Sequence, residues 1–252
     1  MTVFYFTGTG NSLAIAKRIG GNLISIPQVM DKTNNVYEDD VIGVIFPIYA
    51  LAIPKIVLNF MQNTQLNADY CFAIGTYGNS PGSTMADIQK TASKNGYRFD
   101  YTDSILMVDN CIPIFEMGTE VAKLPKKKTE ERTISVINNI RNKKCYQAKS
   151  SFAMRLFSAI ISGLLKYDNF AKKYIINDQC NNCGICIKVC PAGNIKIQEK
   201  VFFNNHCSGC QACLHLCPQN AIHLKNEKSN LRWRNPEVSL NEIISANNRQ
   251  GK

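Results

Sequence analysis

Residues 2–6 form a β-rich apolar run that stops at a polar, glycine-rich turn beginning at Thr7. Beyond the turn the apolar spacing changes, and Leu13, Ala14, Ile15, Ala16 and Ile19 fit one face of a helix. The alternation continues downstream. Short apolar runs at Leu23–Ile26, Val41–Phe46, Tyr70–Gly75 and Ile105–Val108 predict strands, and segments near 54–62, 83–95 and 119–141 predict helices. In the last helix Ile134, Ile137 and Ile140 are expected on the buried side. Strands alternating with helices imply an α/β fold with a parallel sheet covered on both faces. Five strands suit the order 2-1-3-4-5, with ligand loops at the carboxyl ends.

The pattern then changes. Residues 150–175 read as a helical connector, and its Phe152, Leu156, Phe157, Ile160 and Leu164 suit packing against either neighbour or, as a lesser use, a membrane surface. The apolar stretch there is interrupted by Arg155 and is too short to span a bilayer. After Leu224 the chain is polar, with Trp233 its one large anchor, and is expected to extend over the surface. The expected organisation is an α/β domain over 1–149, the connector over 150–175, a cysteine-rich module over 176–226 and a polar tail over 227–252.

Eight of the eleven cysteines lie in that module. Cys180, Cys183, Cys186 and Cys190-Pro191 match C-x2-C-x2-C-x3-C-P, and Cys207, Cys210, Cys213 and Cys217-Pro218 repeat it 27 residues later. Zinc takes four ligands on one ion, usually as paired C-x2-C motifs, and disulfides need an oxidising compartment. Neither calls for a third cysteine at the same spacing and then Cys-Pro. The pattern predicts two 4Fe-4S clusters. Three closely spaced cysteines surround one cube, and the fourth, held before proline, turns away to the other. Cluster 1 is therefore assigned to Cys180, Cys183, Cys186 and Cys217, and cluster 2 to Cys207, Cys210, Cys213 and Cys190. His206, His215 and His223 are interspersed but not needed as ligands, and are read as tuning or coating the site. This part resembles the bacterial two-cluster ferredoxins, a small α+β fold.

The first turn reads Thr7-Gly8-Thr9-Gly10-Asn11-Ser12. Between a strand and a helix N-terminus it offers backbone N–H groups and three hydroxyls to an anion. A P-loop would need Gly-Lys-Ser/Thr, and the dinucleotide fingerprint would need glycine where Leu13 stands. The turn resembles the phosphate loop of flavodoxins, T-x-T-G-x-S/T. That resemblance implies a flavodoxin-like domain whose residues 7–12 hold the phosphate of FMN. In such proteins the flavin ring lies between the loops after the third and fourth strands, here 46–54 and 76–82. Pro47, Tyr49, Thr76, Tyr77, Gly78 and Asn79 are the implied contacts. Tyr49 and Tyr77 either stack on the ring or cap the sheet as ordinary amphipathic residues. Cys111, after the fifth strand, either lies near the flavin or is a small buried apolar residue, the commoner fate of a lone cysteine.

Composition changes this picture little. The formal charge is +10, but thiolate-ligated clusters and a flavin phosphate would offset much of it. No basic stretch is interleaved with aromatics, so nucleic acid is not an expected partner. The lysines of 123–128 read as a solvated face, or as a dock for an acidic partner. No secretory signal is evident, and the expectation is a cytoplasmic protein without an integral membrane segment, its oligomeric state open. As a whole the chain resembles the EFR1-type ferredoxins, in which a flavodoxin-like domain precedes two 4Fe-4S clusters. The resemblance implies FMN and electron exchange with redox proteins, acidic ones suiting the charge. The alternative is an FMN-dependent reductase of a quinone or nitro compound fed through the clusters.

Overall fold

The computed structural model describes residues 1–31, 35–165 and 167–249, with side chains omitted at 167–169. Lys166 of the expected connector and residues 250–252 of the expected tail lie outside the described residues.

The chain alternates as its apolar pattern requires. Strand β1 (Thr2–Tyr5) leads through the 7–10 turn into α1 (Asn11–Ile19), then β2 (Asn22–Ser25) and the short α2 (Ile26–Val29). Next come β3 (Asn35–Glu38), β4 (Val41–Pro47), α3 (Lys55–Gln62), β5 (Thr64–Asn67), β6 (Tyr70–Tyr77), α4 (Thr84–Lys94) and β7 (Tyr101–Leu106). Helices α5 (Met117–Ala122) and α6 (Thr129–Arg141) and strand β8 (Tyr146–Gln147) complete the α/β unit. The main sheet is parallel, in the order β2-β1-β4-β6-β7-β8. Its first five strands reproduce the doubly wound order 2-1-3-4-5. A two-residue edge strand, β8, is added, while β3 and β5 form a separate parallel pair.

Each face of the sheet is covered. Leu13, Ile15 and Ile19 of α1 and Val136, Ile137 and Ile140 of α6 pack on one side. Ile56, Val57 and Phe60 of α3 and Met85, Ile88 and Ala92 of α4 pack on the other. Ile134 is exposed, and Thr133 takes the buried position expected for it.

The single helix expected over 119–141 is two. Lys128 adopts a left-handed conformation (φ 50°) and Pro125 precedes it, which breaks the helix between α5 and α6. Strand β7 begins four residues before the expected Ile105. Its first half hides polar residues: Asp103 accepts from Tyr101 Oη at 2.6 Å and pairs with Arg132, and Thr102 Oγ1 accepts from Ala148 N at 2.9 Å. Internal partners let polar side chains occupy a buried strand.

Helix α7 (Phe152–Leu164) follows, capped by Ser151 Oγ, which accepts from Met154 N at 3.2 Å. The cysteine module is built from β9 (Tyr174–Ile176), α8 (Ile185–Lys188), β10 (Ile195–Ile197), β11 (Val201–Phe203), α9 (Ala212–His215) and β12 (Ile222–Leu224). Strand β9 pairs with β12 and β10 with β11, both antiparallel. Cysteine side chains make up much of its core, together with Ile195, Val201, Leu214 and Ile222. Val189, Ala212 and Leu216 join the α1/α6 side of the sheet core, seating the module on the α/β unit.

The tail does not simply run over the surface. Residues 240–247 form α10 (Leu240–Asn247), closed by a full capping box between Ser239 and Glu242. Val238, Ile243 and Ala246 are buried in the sheet core. Lys17 Nζ pairs with Glu242 at 2.6 Å, Ser25 Oγ donates to Ala246 O at 2.6 Å, and Arg249 pairs with Asp31. Asn247, fully buried, donates from Nδ2 to Thr7 O at 3.0 Å and to Val189 O at 3.3 Å. The segment is a strap across the first turn and the cysteine module. Deleting residues from Val238 onward removes the buried Val238 and Ile243 side chains, the two large ones of the segment. It is expected to lower stability by about 4 kcal/mol, read as the denaturant midpoint of the loaded protein. A loss under about 1 kcal/mol would show that the strap is not structural.

Candidate functional site

The carboxyl ends of the parallel strands face the cysteine module. Between them lies a cavity of about 330 Å³. Its walls are built from four strand-end loops, from α7 and from the module itself.

The first loop is the 7–12 turn. Gly10, at φ 104°, is the N-cap of α1, a conformation a β-carbon would strain. The loop is tied from several sides: Gly10 N donates to Thr7 Oγ1 at 3.1 Å, Asn110 Nδ2 donates to Thr9 Oγ1, and Ser12 and Thr76 share a hydrogen bond at 2.9 Å. Asn11 Nδ2 donates to Val108 O at 3.3 Å. Thr7, Gly8, Thr9, Asn11 and Ser12 line the cavity. Gly10 does not; it backs onto Asn235 and Val238 of the strap.

The second loop carries a tight turn. Tyr49 and Ala52 exchange both backbone hydrogen bonds, at 3.1 and 3.0 Å, around Ala50 (φ 45°) and Leu51 (φ 62°). Left-handed geometry at two non-glycine residues is uncommon and gathers at functional sites. Pro47 and Tyr49 line the cavity, and Tyr49 also meets Phe6 edge-on. Thr76, Tyr77, Gly78 and Asn79 of the next loop line it too.

At Gly78 a β-carbon would lie 2.4 Å from Asp109 Cα, so only glycine lets the loops after β6 and β7 approach this closely. Lys127 fastens the arrangement, its Nζ donating to Gly78 O at 2.8 Å and Met107 O at 2.6 Å while pairing with buried Glu120 at 3.4 Å. It is therefore not part of the solvated face expected for 123–128. Asp109 lies on the cavity wall, and burial raises its carboxyl above the usual range. Cys111 also lines the cavity; burial pushes its thiol up to about 11.

The module closes the remaining side with Gly209, Cys210 and Gln211. A β-carbon on Gly8 would come within 2.9 Å of Cys210 O, so the phosphate-loop candidate and this cysteine loop touch backbone to backbone. Gln211 Oε1 accepts from Ile112 N at 3.3 Å and its Nε2 donates to Cys111 Sγ at 3.7 Å. His215 bridges further: Trp233 N donates to its Nδ1 at 3.1 Å, which leaves Nε2–H to donate to Asn110 O at 2.8 Å. Burial keeps this imidazole neutral, its pKa pushed down to about 4. It couples the module to a cavity loop, a structural role beside the tuning or coating expected of it.

The module cysteines fall into two neighbourhoods. Cys217, Cys183 and Cys180 act electrostatically on Cys186. Cys210, Cys190 and Cys207 act more strongly on Cys213 than Cys186 does. Burial first, and then these neighbours, push the thiols of Cys186 and Cys210 up to about 12. Deprotonating them together needs compensating positive charge, which ligated iron supplies. Backbone N–H groups already point at sulfur: Asn194 N to Cys190 at 3.2 Å, Ala221 N to Cys217 at 3.3 Å and Gly209 N to Cys207 at 3.4 Å. Among the described residues no group of three or more His, Cys, Asp or Glu side chains would hold a single ion. A cubane differs in kind, binding one thiolate at each iron corner. The donor set fits that group.

Residues 179–222 match the family model of the 4Fe-4S dicluster domain. The module is thus a ferredoxin-like 4Fe-4S domain. No curated protein matches the chain. Among solved structures, a flavoprotein candidate from Bacteroides uniformis aligns at 16% identity over 42% of this chain and 89% of its own, with a TM-score of 0.34. The two-electron reduced flavodoxin of Megasphaera elsdenii aligns at 17% identity over 41% and 83%, with a TM-score of 0.25. Likenesses this slight carry no argument about cofactor or activity; the strand order of the sheet places the α/β domain among flavodoxin-like folds.

Several wall residues were not legible in the sequence. Ile114, Phe115, Phe157, Ile161 and Leu165 contribute the apolar lining, and Gly209 and Gln211 come from the module. The connector does pack, but through Ser158, whose Oγ accepts from Ser83 N at 3.0 Å, and through its cavity side. Phe152, Leu156, Ile160 and Leu164 face outward, and Phe157 is half exposed.

Proposed function

We propose that the chain is an electron-transfer protein that holds FMN in the interdomain cavity and two 4Fe-4S clusters in the module. The observation that carries this reading is the shared wall. Cys210, a ligand candidate for the second cluster, lines the same cavity as residues 7–9, 11–12, 47–49 and 76–79. FMN, when bound, supplies a carrier that exchanges one or two electrons, whereas clusters exchange one at a time.

The cavity residues fit that group. The 7–12 turn at the N-terminus of α1 offers an anion site, and the apolar walls of Tyr49, Ile48 and Phe157 suit a flat ring. The cysteines Cys207, Cys210, Cys213 and Cys190 hold the cluster next to the cavity. Cys180, Cys183, Cys186 and Cys217 hold the one farther from it, so redox partners approach from that side.

One observation favours a second reading, reduction of a small acceptor such as a quinone or nitro compound. Asp109, its carboxyl raised by burial, is a proton source on the cavity wall. Anaerobic absorption with iron, sulfide and flavin analysis tests the main reading. About eight irons, eight sulfides and one FMN per chain are expected. Bound zinc, or clusters without flavin, would overturn it. Steady-state turnover of quinones with a chemical donor separates the two readings.

A further inference from the structure

Helix α7 has an inverted surface. Its protein-facing side holds the small Ser158, together with Ile161, while an apolar arc faces outward, with exposed Arg155 as the one charged residue of the helix. Phe152, Leu156, Ile160 and Leu164 recur at four-residue spacing, and Phe157 flanks them. Phe152 is 83% exposed and Leu164 75%, the others about half. A solvent-facing helical arc is ordinarily polar, and an apolar arc of this length marks a contact surface. No described helix is long and apolar enough to cross a membrane.

The surroundings identify the occupant. From 141 to 167 the sequence has no aspartate or glutamate and six lysines or arginines. Arg141, Lys143, Lys144 and Lys149 are exposed before the helix, and Lys172 and Lys173 after it. Two copies of this face would bring like charges together, which disfavours self-association. A single convex helix with apolar side chains outward and cations at both ends is complementary to an anionic bilayer surface. We propose that α7 is a peripheral membrane anchor, lying in the headgroup region of anionic lipid with Phe152, Leu156, Ile160 and Leu164 inserted. Because Phe157, Ile161 and Leu165 line the cavity from the same helix, docking sets the cavity wall at the lipid surface. The proposal does not depend on which cofactor the cavity holds.

The test is anaerobic flotation of the intact, cofactor-loaded protein with two kinds of vesicle, one of phosphatidylcholine alone and one with about a third phosphatidylglycerol. The expected result is binding to the anionic vesicles that falls as salt rises. Phe152→Ser with Leu164→Ser should weaken it at least about tenfold, since each buried side chain is worth more than that factor. Circular dichroism should be unchanged, because both residues are already exposed. Lys143→Gln with Lys144→Gln and Lys149→Gln gives an independent arm and should weaken binding to the anionic vesicles alone. Failure of the wild-type protein to float with either vesicle overturns the proposal. So does a wild-type dimer that the Phe152/Leu164 substitutions dissociate, which would make the face a self-interface.

Discussion

Cys217→Ala is expected to damage the cluster bound by Cys180, Cys183 and Cys186, although Cys217 belongs to the other motif. The reason is which thiols act on each other. After burial, Cys217 contributes most to raising the Cys186 thiol, whereas Cys190 acts on Cys213 along with Cys210 and Cys207 of its own motif. On the proposed assignment each cube is closed by a thiolate from the opposite repeat. Loss of that thiolate should leave a three-iron or labile cluster at the first site, seen by low-temperature electron paramagnetic resonance. The second cluster should persist at first, with the module loosened because cluster binding also stabilises its fold. The opposite pattern, with the first cluster spared and the second lost, would falsify the crossed arrangement.

Lys127→Met should lower stability by about 3 kcal/mol and weaken FMN binding. The ammonium is nearly enclosed, its side chain 8% exposed against 3% for Glu120. It holds the carbonyls of Gly78 and Met107 together at the ends of two strands. Methionine keeps most of the volume but strands those oxygens and leaves Glu120 with Lys123 as its remaining cation. Adding Glu120→Gln should recover part of the loss, giving a measurable coupling between the positions. The readouts are the denaturant midpoint and the FMN dissociation constant. Should the single variant fall within about 0.5 kcal/mol of the wild type, Lys127 does not tie the loops.

These effects also show which features a linear reading reaches. Strands such as Val41–Pro47 and Tyr70–Tyr77 are buried almost throughout, so their apolar runs declare themselves. The cysteine module is legible for a different reason: cluster ligation fixes residue type and spacing together. The 7–12 turn is legible as strand, glycine turn and helix. Strand β7 hides because Thr102 and Asp103 are buried polar residues, whose partners Ala148 and Arg132 are distant in sequence. Lys127 hides among five exposed or half-buried neighbours in 123–128, since only three-dimensional packing selects one lysine of the run. The strap had a local signal, Ser239-x-x-Glu242 with Leu240, Ile243 and Ile244 behind it, which a polar average over the tail obscures. The apolar residues of α7 were visible, but periodicity alone cannot tell a face that packs inward from one that waits for another surface.

The bond from Asn247 to the Thr7 carbonyl spans 240 positions of sequence. During synthesis at about 5–20 residues per second, roughly 12–50 s separate the making of its two ends. Throughout that interval the first turn exists without the side chain that secures it, while every cluster cysteine is made in between. The first turn therefore reaches its finished form only after the whole cysteine module has been translated.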